Sequence, residues 1–136
     1  FVGSSYLYTR PRDMAKFGYF FLNDGMWEGK RILPEGWVKY STTVAPAYYT
    51  TELSKEDIED GPYGALWWLN RAVPEKNVPR PLPDAPEDTF SAQGHWGQFI
   101  YVIPSLDLVV AYTGDNREKV FSSNTLLKLI IDSIKQ

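Results

Sequence analysis

The chain has 136 residues, a formal charge of −3, 43% hydrophobic and 15% aromatic residues, and no cysteine. That composition suits one domain with a real core and argues against a disordered chain. The mild charge with scattered basic residues excludes a polyanion binder such as a nucleic-acid protein. Without cysteine there are no disulfides, thiolate metal sites or cysteine nucleophiles. No apolar run approaches the roughly 20 residues of a membrane span.

Residues 9–23 read as a helix. Thr9 is a candidate N-cap, Pro11 falls in the tolerated first turn, and Asp13 sits near the positive end of the helix dipole. Met14, Phe17 and Phe21 form its apolar stripe, and Asn23-Asp24-Gly25 stops it. Gly25 to Arg31 is expected to form a small hairpin-like loop around Trp27. Pro34 should open a helix of about ten residues that ends near Thr42 and Thr43. Residues 44–61 read as polar and irregular, with one helical turn at Ser54–Ile58.

Tyr63 to Leu69 is an aromatic strand candidate, with Trp67-Trp68 expected to be core on one face and partly exposed on the other. From Arg71 to Asp88 the chain carries Pro74, Pro79, Pro81, Pro83 and Pro86, so this stretch is expected to be an extended loop. Phe90–Gln93 is a further strand candidate, followed by a short glycine-punctuated link from Gly94 to Gly97. Gln98–Ile103 and Leu106–Tyr112 read as strands joined at Pro104-Ser105. The first of these is apolar in both alternating sets, as a strand covered on both faces should be. From about Ser122 a helix is expected, with Leu126, Leu127, Ile130, Ile131 and Ile134 on one side and Lys128, Asp132 and Lys135 on the other. The fold class is α+β, an antiparallel sheet covered by helices.

Residues able to carry chemistry are few. The one histidine, His95, lies in Gly94-His95-Trp96-Gly97-Gln98. With no second histidine and no cysteine, metal binding is poorly supported. Ser91 is close in sequence, but no Gly-x-Ser-x-Gly elbow surrounds it.

Several stretches, taken in order, resemble the serine β-lactamase-like hydrolases. Tyr6-Leu7-Tyr8-Thr9-Arg10-Pro11-Arg12-Asp13-Met14-Ala15-Lys16-Phe17-Gly18 is similar to the segment that precedes and enters a core helix in that family. Leu22-Asn23-Asp24-Gly25, Trp27, Gly29, Ile32-Leu33-Pro34, Tyr63-Gly64 and Trp67-Trp68-Leu69 continue the likeness. So do Gly94-His95-x-Gly97-Gln98 and Val102-x-Pro104-Ser105-Leu106-Asp107-Leu108-Val109-Val110. The likeness covers nearly the whole chain and points to the branch with esterases, amide hydrolases, class C β-lactamases and D-Ala-D-Ala peptidase relatives.

The resemblance implies a partial β-lactamase/transpeptidase-like fold, with residues 1–136 as the C-terminal portion of the domain and 71–88 as a proline-rich loop within it. In the family, Ser-x-x-Lys supplies the nucleophile, a Tyr-x-Asn or Ser-x-Asn loop follows, and Lys-Thr-Gly or His-x-Gly borders the cleft on a strand. His95-Trp96-Gly97 fits the third motif. No Ser-x-x-Lys or Tyr-x-Asn occurs here. Ser122-Ser123-Asn124 matches Ser-x-Asn but follows the third motif, which is the wrong order, and reads instead as a helix cap.

Carried over, the backbone N–H of Gln98 would be one oxyanion donor, Gly97 would allow close approach of substrate, and His95 would support the nucleophile's proton network or steer a carboxylate. Trp96 would line the cleft or pack as core. A histidine carries less charge at neutral pH than the lysine of penicillin-targeting relatives, which favours an ester, amide or peptide substrate over a β-lactam.

The expected function is therefore the C-terminal part of a serine hydrolase that forms an acyl-enzyme on an ester, amide or β-lactam, inactive by itself and needing no cofactor or metal. A non-catalytic binding module of the same shape is the alternative. The sequence opens on Phe1 rather than methionine, and an N-terminal part carrying the nucleophile is expected to precede it. The resemblance further implies export or a periplasmic location in a bacterium. Without the N-terminal strands the sheet should have an open edge, filled by the missing part or by a second copy in a homodimer.

Overall fold

A computed structural model describes residues 7–118 and 120–134. Tyr6 of the first likeness and Lys135 of the last helix lie outside them. Helix α1 spans Pro11–Leu22. Proline lacks the N–H that a first helical residue leaves unbonded, so the helix opens at Pro11 and Arg10, not Thr9, takes the N-cap position without a side-chain cap. Asp13 pairs with Lys16 at 2.9 Å. At the other end Asp24 adopts φ 52°. Its N–H donates to Phe21 O at 3.1 Å, and that of Gly25 donates to Phe20 O at 2.9 Å. These two bonds satisfy the last carbonyls and end the helix.

Strands β1 (Met26–Trp27) and β2 (Lys30–Arg31) form the expected small hairpin. Glu28 and Gly29 at its turn have φ 48° and 76°, the paired positive values that match strand twist in a two-residue turn. The helix expected from Pro34 is shorter: α2 is Trp37–Ser41. Gly36, at φ 79°, interrupts the helical path after Pro34 and becomes the N-cap. Two short helices follow, α3 (Pro46–Thr50) and α4 (Lys55–Asp60). The first falls in a stretch read as irregular. The second begins where expected, because Ser54 and Asp57 form a reciprocal capping box: Asp57 N–H donates to Ser54 Oγ at 3.1 Å and Ser54 N–H to Asp57 Oδ2 at 2.8 Å.

The expected strand at Tyr63–Leu69 is reduced to β3, Trp68–Leu69. Tyr63 bridges back to Trp68 across a turn that places Leu66 at φ 69°. The main sheet is antiparallel in the order β3-β4-β5-β6, with β4 at Phe90–Gly94, β5 at Gln98–Ile103 and β6 at Leu108–Tyr112. One helical turn at Pro104–Leu106, closed by Asp107 at φ 48°, delays β6 by two residues beyond its expected start at Leu106.

Register sorts the sheet's side chains into two layers. Leu69, Phe90, Val102 and Val109 are aligned partners, as are Ala92 and Ile100, and these face α1. A side chain at Gly18 would bring its Cβ 2.6 Å from Val109 Cγ1, so this glycine is what lets α1 lie close on β5 and β6. On the other face Tyr101, Ile103 and Val110 pack under Leu127 and Ile131 of α5 (Ser123–Ile134). Strand β5 is thus covered on both sides, as its two apolar sets required. Trp67 is buried among the α1-side residues and Trp68 is half-buried on the opposite face.

The proline-rich segment 71–88 is irregular but firmly held. Buried Asn70 donates its amide to Leu82 O at 2.9 Å and Pro86 O at 2.9 Å, and its Oδ1 accepts the Leu82 N–H at 2.9 Å. Within it Val73, Val78 and Ala85 are themselves buried. Among the described residues, no helix is long and apolar enough to cross a membrane.

Candidate functional site

Strands β4 and β5 are joined by a three-residue turn, His95-Trp96-Gly97, closed by the Gly94–Gln98 pair. Trp96 and Gly97 both take positive φ, 59° and 95°. Gly97 is required there twice over: its backbone favours glycine, and a Cβ would come 3.0 Å from Asn116 Cβ. His95 is exposed, and its ring stands 4.4 Å from that of Trp96, which is 52% exposed. The third-motif residues therefore form the turn itself rather than part of a strand, and they point out of the core.

The segment after β6 holds this tip in place. Asn116 N–H donates to Trp96 O at 2.8 Å, and Gln98 Nε2 donates to Gly114 O at 2.6 Å. Asn116 Oδ1 in turn accepts the Phe121 N–H at 2.9 Å. Beneath them Phe121 stacks on Tyr112 with centroids 4.4 Å apart, and Phe99 lies 6.0 Å from Phe121. Arg117 places its guanidinium 4.8 Å over the Trp96 ring. It also pairs with Asp115, whose hydrogen bonds from Arg117 hold its carboxyl below the usual carboxylate range and raise the guanidinium. Trp96 thus stands exposed beside an imidazole and a cation and is not a core residue.

The four residues expected at the site are contiguous and close together, but the edge they border is not the expected one. Gln98 starts β5, an internal strand flanked by β4 and β6. Strand β3 pairs only with Phe90 and Ser91, so among the described residues Ala92 to Gly94 of β4 is unpaired on its outer side. The free backbone leading to the tip therefore belongs to β4. Along the α5 face of that strand lies a cavity of about 160 Å³, with Trp68, Ser91, Gln93, Ser123, Glu59 and Asp60 in its wall.

The serines serve structural ends. Ser91 is buried and its Oγ accepts from Gln93 Nε2 at 3.2 Å. Ser122 accepts the Thr125 N–H at 3.3 Å, the capping role expected of it. Ser123 accepts from the buried Tyr101 hydroxyl at 2.5 Å. Burial pushes that phenol up to about 12, against the lowering effect of the Ser123 bond. Asn124 ties the proline-rich segment to α5 through Asp84 at 2.7 Å. Among the described residues no group of three or more His, Asp or Glu could hold a metal ion.

Asn70, Asn116 and Arg117 escaped the sequence reading. Asn116 and Arg117 lie some twenty residues after the motif they support, and no local pattern links them to it. Asn70 had a usable signal, a lone amide between an aromatic strand and a proline-rich loop whose carbonyls need donors.

No family model matches the chain. It is similar to an uncharacterized protein of Alkalihalophilus pseudofirmus, with 27% identity over 104 residues, 76% of this chain. The aligned stretch spans 28% of that protein's length.

Proposed function

We propose that the chain is the C-terminal portion of a serine hydrolase that works through an acyl-enzyme on an ester, amide or β-lactam, with His95-Trp96-Gly97 as one wall of its cleft. The observation that carries this reading is the placement of His95 and Trp96. Both are exposed on a turn that Asn116 and Gln98 brace, beside an unpaired stretch of β4. An acyl-transfer site needs backbone N–H groups aimed at a developing oxyanion, and a braced tip with free backbone beside it meets that need. Gln98 N–H is the donor suggested by resemblance, and on the outer edge of β4 Gln93 N–H offers another, because N–H groups alternate sides along an antiparallel strand. His95 assists the proton transfers at the nucleophile, and Trp96 gives a flat apolar support for the acyl group. The attacking serine comes from another part of the same polypeptide, since an oxyanion site without a nucleophile does not acylate. Location follows the family, outside the cytoplasm of a bacterium.

The test is a fluorophosphonate probe applied to the full-length protein and mapped by mass spectrometry. Labelling is expected on one serine outside residues 1–136, within a Ser-x-x-Lys motif, and none on the 136-residue chain alone. A full-length protein that stays unlabelled while folded would refute the hydrolase reading and favour a non-catalytic binding module.

A further inference from the structure

On the sheet face that carries α5, strand β5 presents Phe99, Tyr101 and Ile103. The adjoining column on β4 is different in kind. It holds Ser91 and Gln93, the aligned partners of Tyr101 and Phe99. Thr89 extends it. Asn70 N–H donates to Thr89 O at 3.0 Å, which carries the β3–β4 ladder one residue further, and alternation puts the Thr89 side chain on the face of Ser91. A strand face turned toward a covering helix is ordinarily apolar, so three polar side chains in a row call for a reason. All three line the cavity of about 160 Å³ beside β4.

Thr89 is 2% exposed, and its Oγ1 has no hydrogen-bond partner among the described residues. A hydroxyl buried in that state lowers stability, and valine would keep the shape without the penalty. Ser91 is buried as well. Its Oγ accepts from Gln93, and Ser123 Oγ accepts from Tyr101, so each of these hydroxyls still has a hydrogen to donate. The cavity therefore offers several donors to an oxygen of a bound molecule.

Charge narrows the choice. Glu59 and Asp60 stand in the wall, and no lysine, arginine or histidine does. Glu59 reaches Lys55 at 3.5 Å, but the side chains are 64% and 89% exposed, and a pair so wet is weak enough for another cation to displace. Half-buried Trp68 adds an indole ring, whose face attracts cations. The volume of about 160 Å³ suits a molecule of about six heavy atoms or fewer, since a void of about 150 Å³ takes a benzene ring.

We propose that this cavity binds a small organic ammonium ion that also carries a hydroxyl, an amino alcohol. Its ammonium group pairs with the Glu59 and Asp60 carboxylates beside Trp68, and its oxygen accepts from the hydroxyls of Thr89, Ser91 and Ser123. No residue of the His95 tip lines the cavity, so the site goes beyond the hydrolase reading and stands without it.

Ethanolamine is the probe, titrated into the full-length protein in amine-free phosphate buffer and followed by saturation-transfer NMR. Ethylene glycol and glycolate, similar in size but neutral and anionic, are the controls. Ethanolamine should bind about tenfold more tightly than either, the difference that one charge-assisted contact makes. Glu59→Gln, a change at an exposed side chain, should weaken ethanolamine several-fold. Thr89→Val should also weaken it several-fold while raising the thermal midpoint, the reverse of what a residue kept for the fold would do. Equal binding of the three probes would overturn the proposal. So would a folded protein that binds no ethanolamine, or an affinity that either substitution leaves unchanged.

Discussion

Gly97 carries the geometry of the tip. Replacing it with alanine forces an L-residue into φ 95° and presses a methyl against Asn116 Cβ at 3.0 Å. Gly97→Ala should cost about 1–2 kcal/mol, read as a lower urea midpoint with an unchanged slope. Tyr101 gives a pH signature. Its phenol is buried and ionises at about 12 instead of 10. The neutral form is the one that folds well, so this contribution is whole below pH 10 and is lost as pH rises towards 12. The loss amounts to roughly 2–3 kcal/mol over that window. Chemical denaturation across pH 9–11.5 should show a steeper fall for the native chain than for Tyr101→Phe, and identical slopes would contradict the assignment. At this scale the sequence was a fair guide to residue types and a poor one to partners. His95, Trp96 and Gly97 are identifiable from a five-residue pattern, whereas Asn116 is brought to Trp96 only by the return of β6.

Elements were legible where a local rule decided them. The α1 stop at Asn23-Asp24-Gly25, the helical turn from Ser54 and the doubly covered β5 follow from local chemistry and periodicity. The misread elements are those that tertiary contacts reshape. Thr9 lost the N-cap to Arg10 because Pro11 fixes the first turn, and the strand expected at 63–69 folds into a bridge because Gly64 packs on Ser41. The proline-rich segment was expected as a loop, and what its composition could not reveal is the single amide that organises it. Asn70→Ala strips partners from the carbonyls of Leu82 and Pro86 and from the Leu82 N–H, all close to the core. A loss of about 3 kcal/mol is expected, with limited proteolysis moving into residues 71–88. Unchanged cleavage there would show that the buried valines alone hold the segment.

For the molecule as a whole, the α+β class and the antiparallel sheet under helices on both faces agree with the sequence expectation. The sheet ends in β6, whose five residues are half-buried and have only β5 beside them among the described residues. An edge of that length invites another strand. The hydrolase reading makes the position of the missing serine a spatial prediction. A crystal structure of the full-length protein reacted with a phosphonate tests it most directly. The phosphonyl oxygen should lie about 2.7–3.1 Å from a backbone N–H between residues 92 and 98, with the His95 imidazole facing the adduct. A phosphonate bound on the far side of the sheet, away from the tip, would contradict the account.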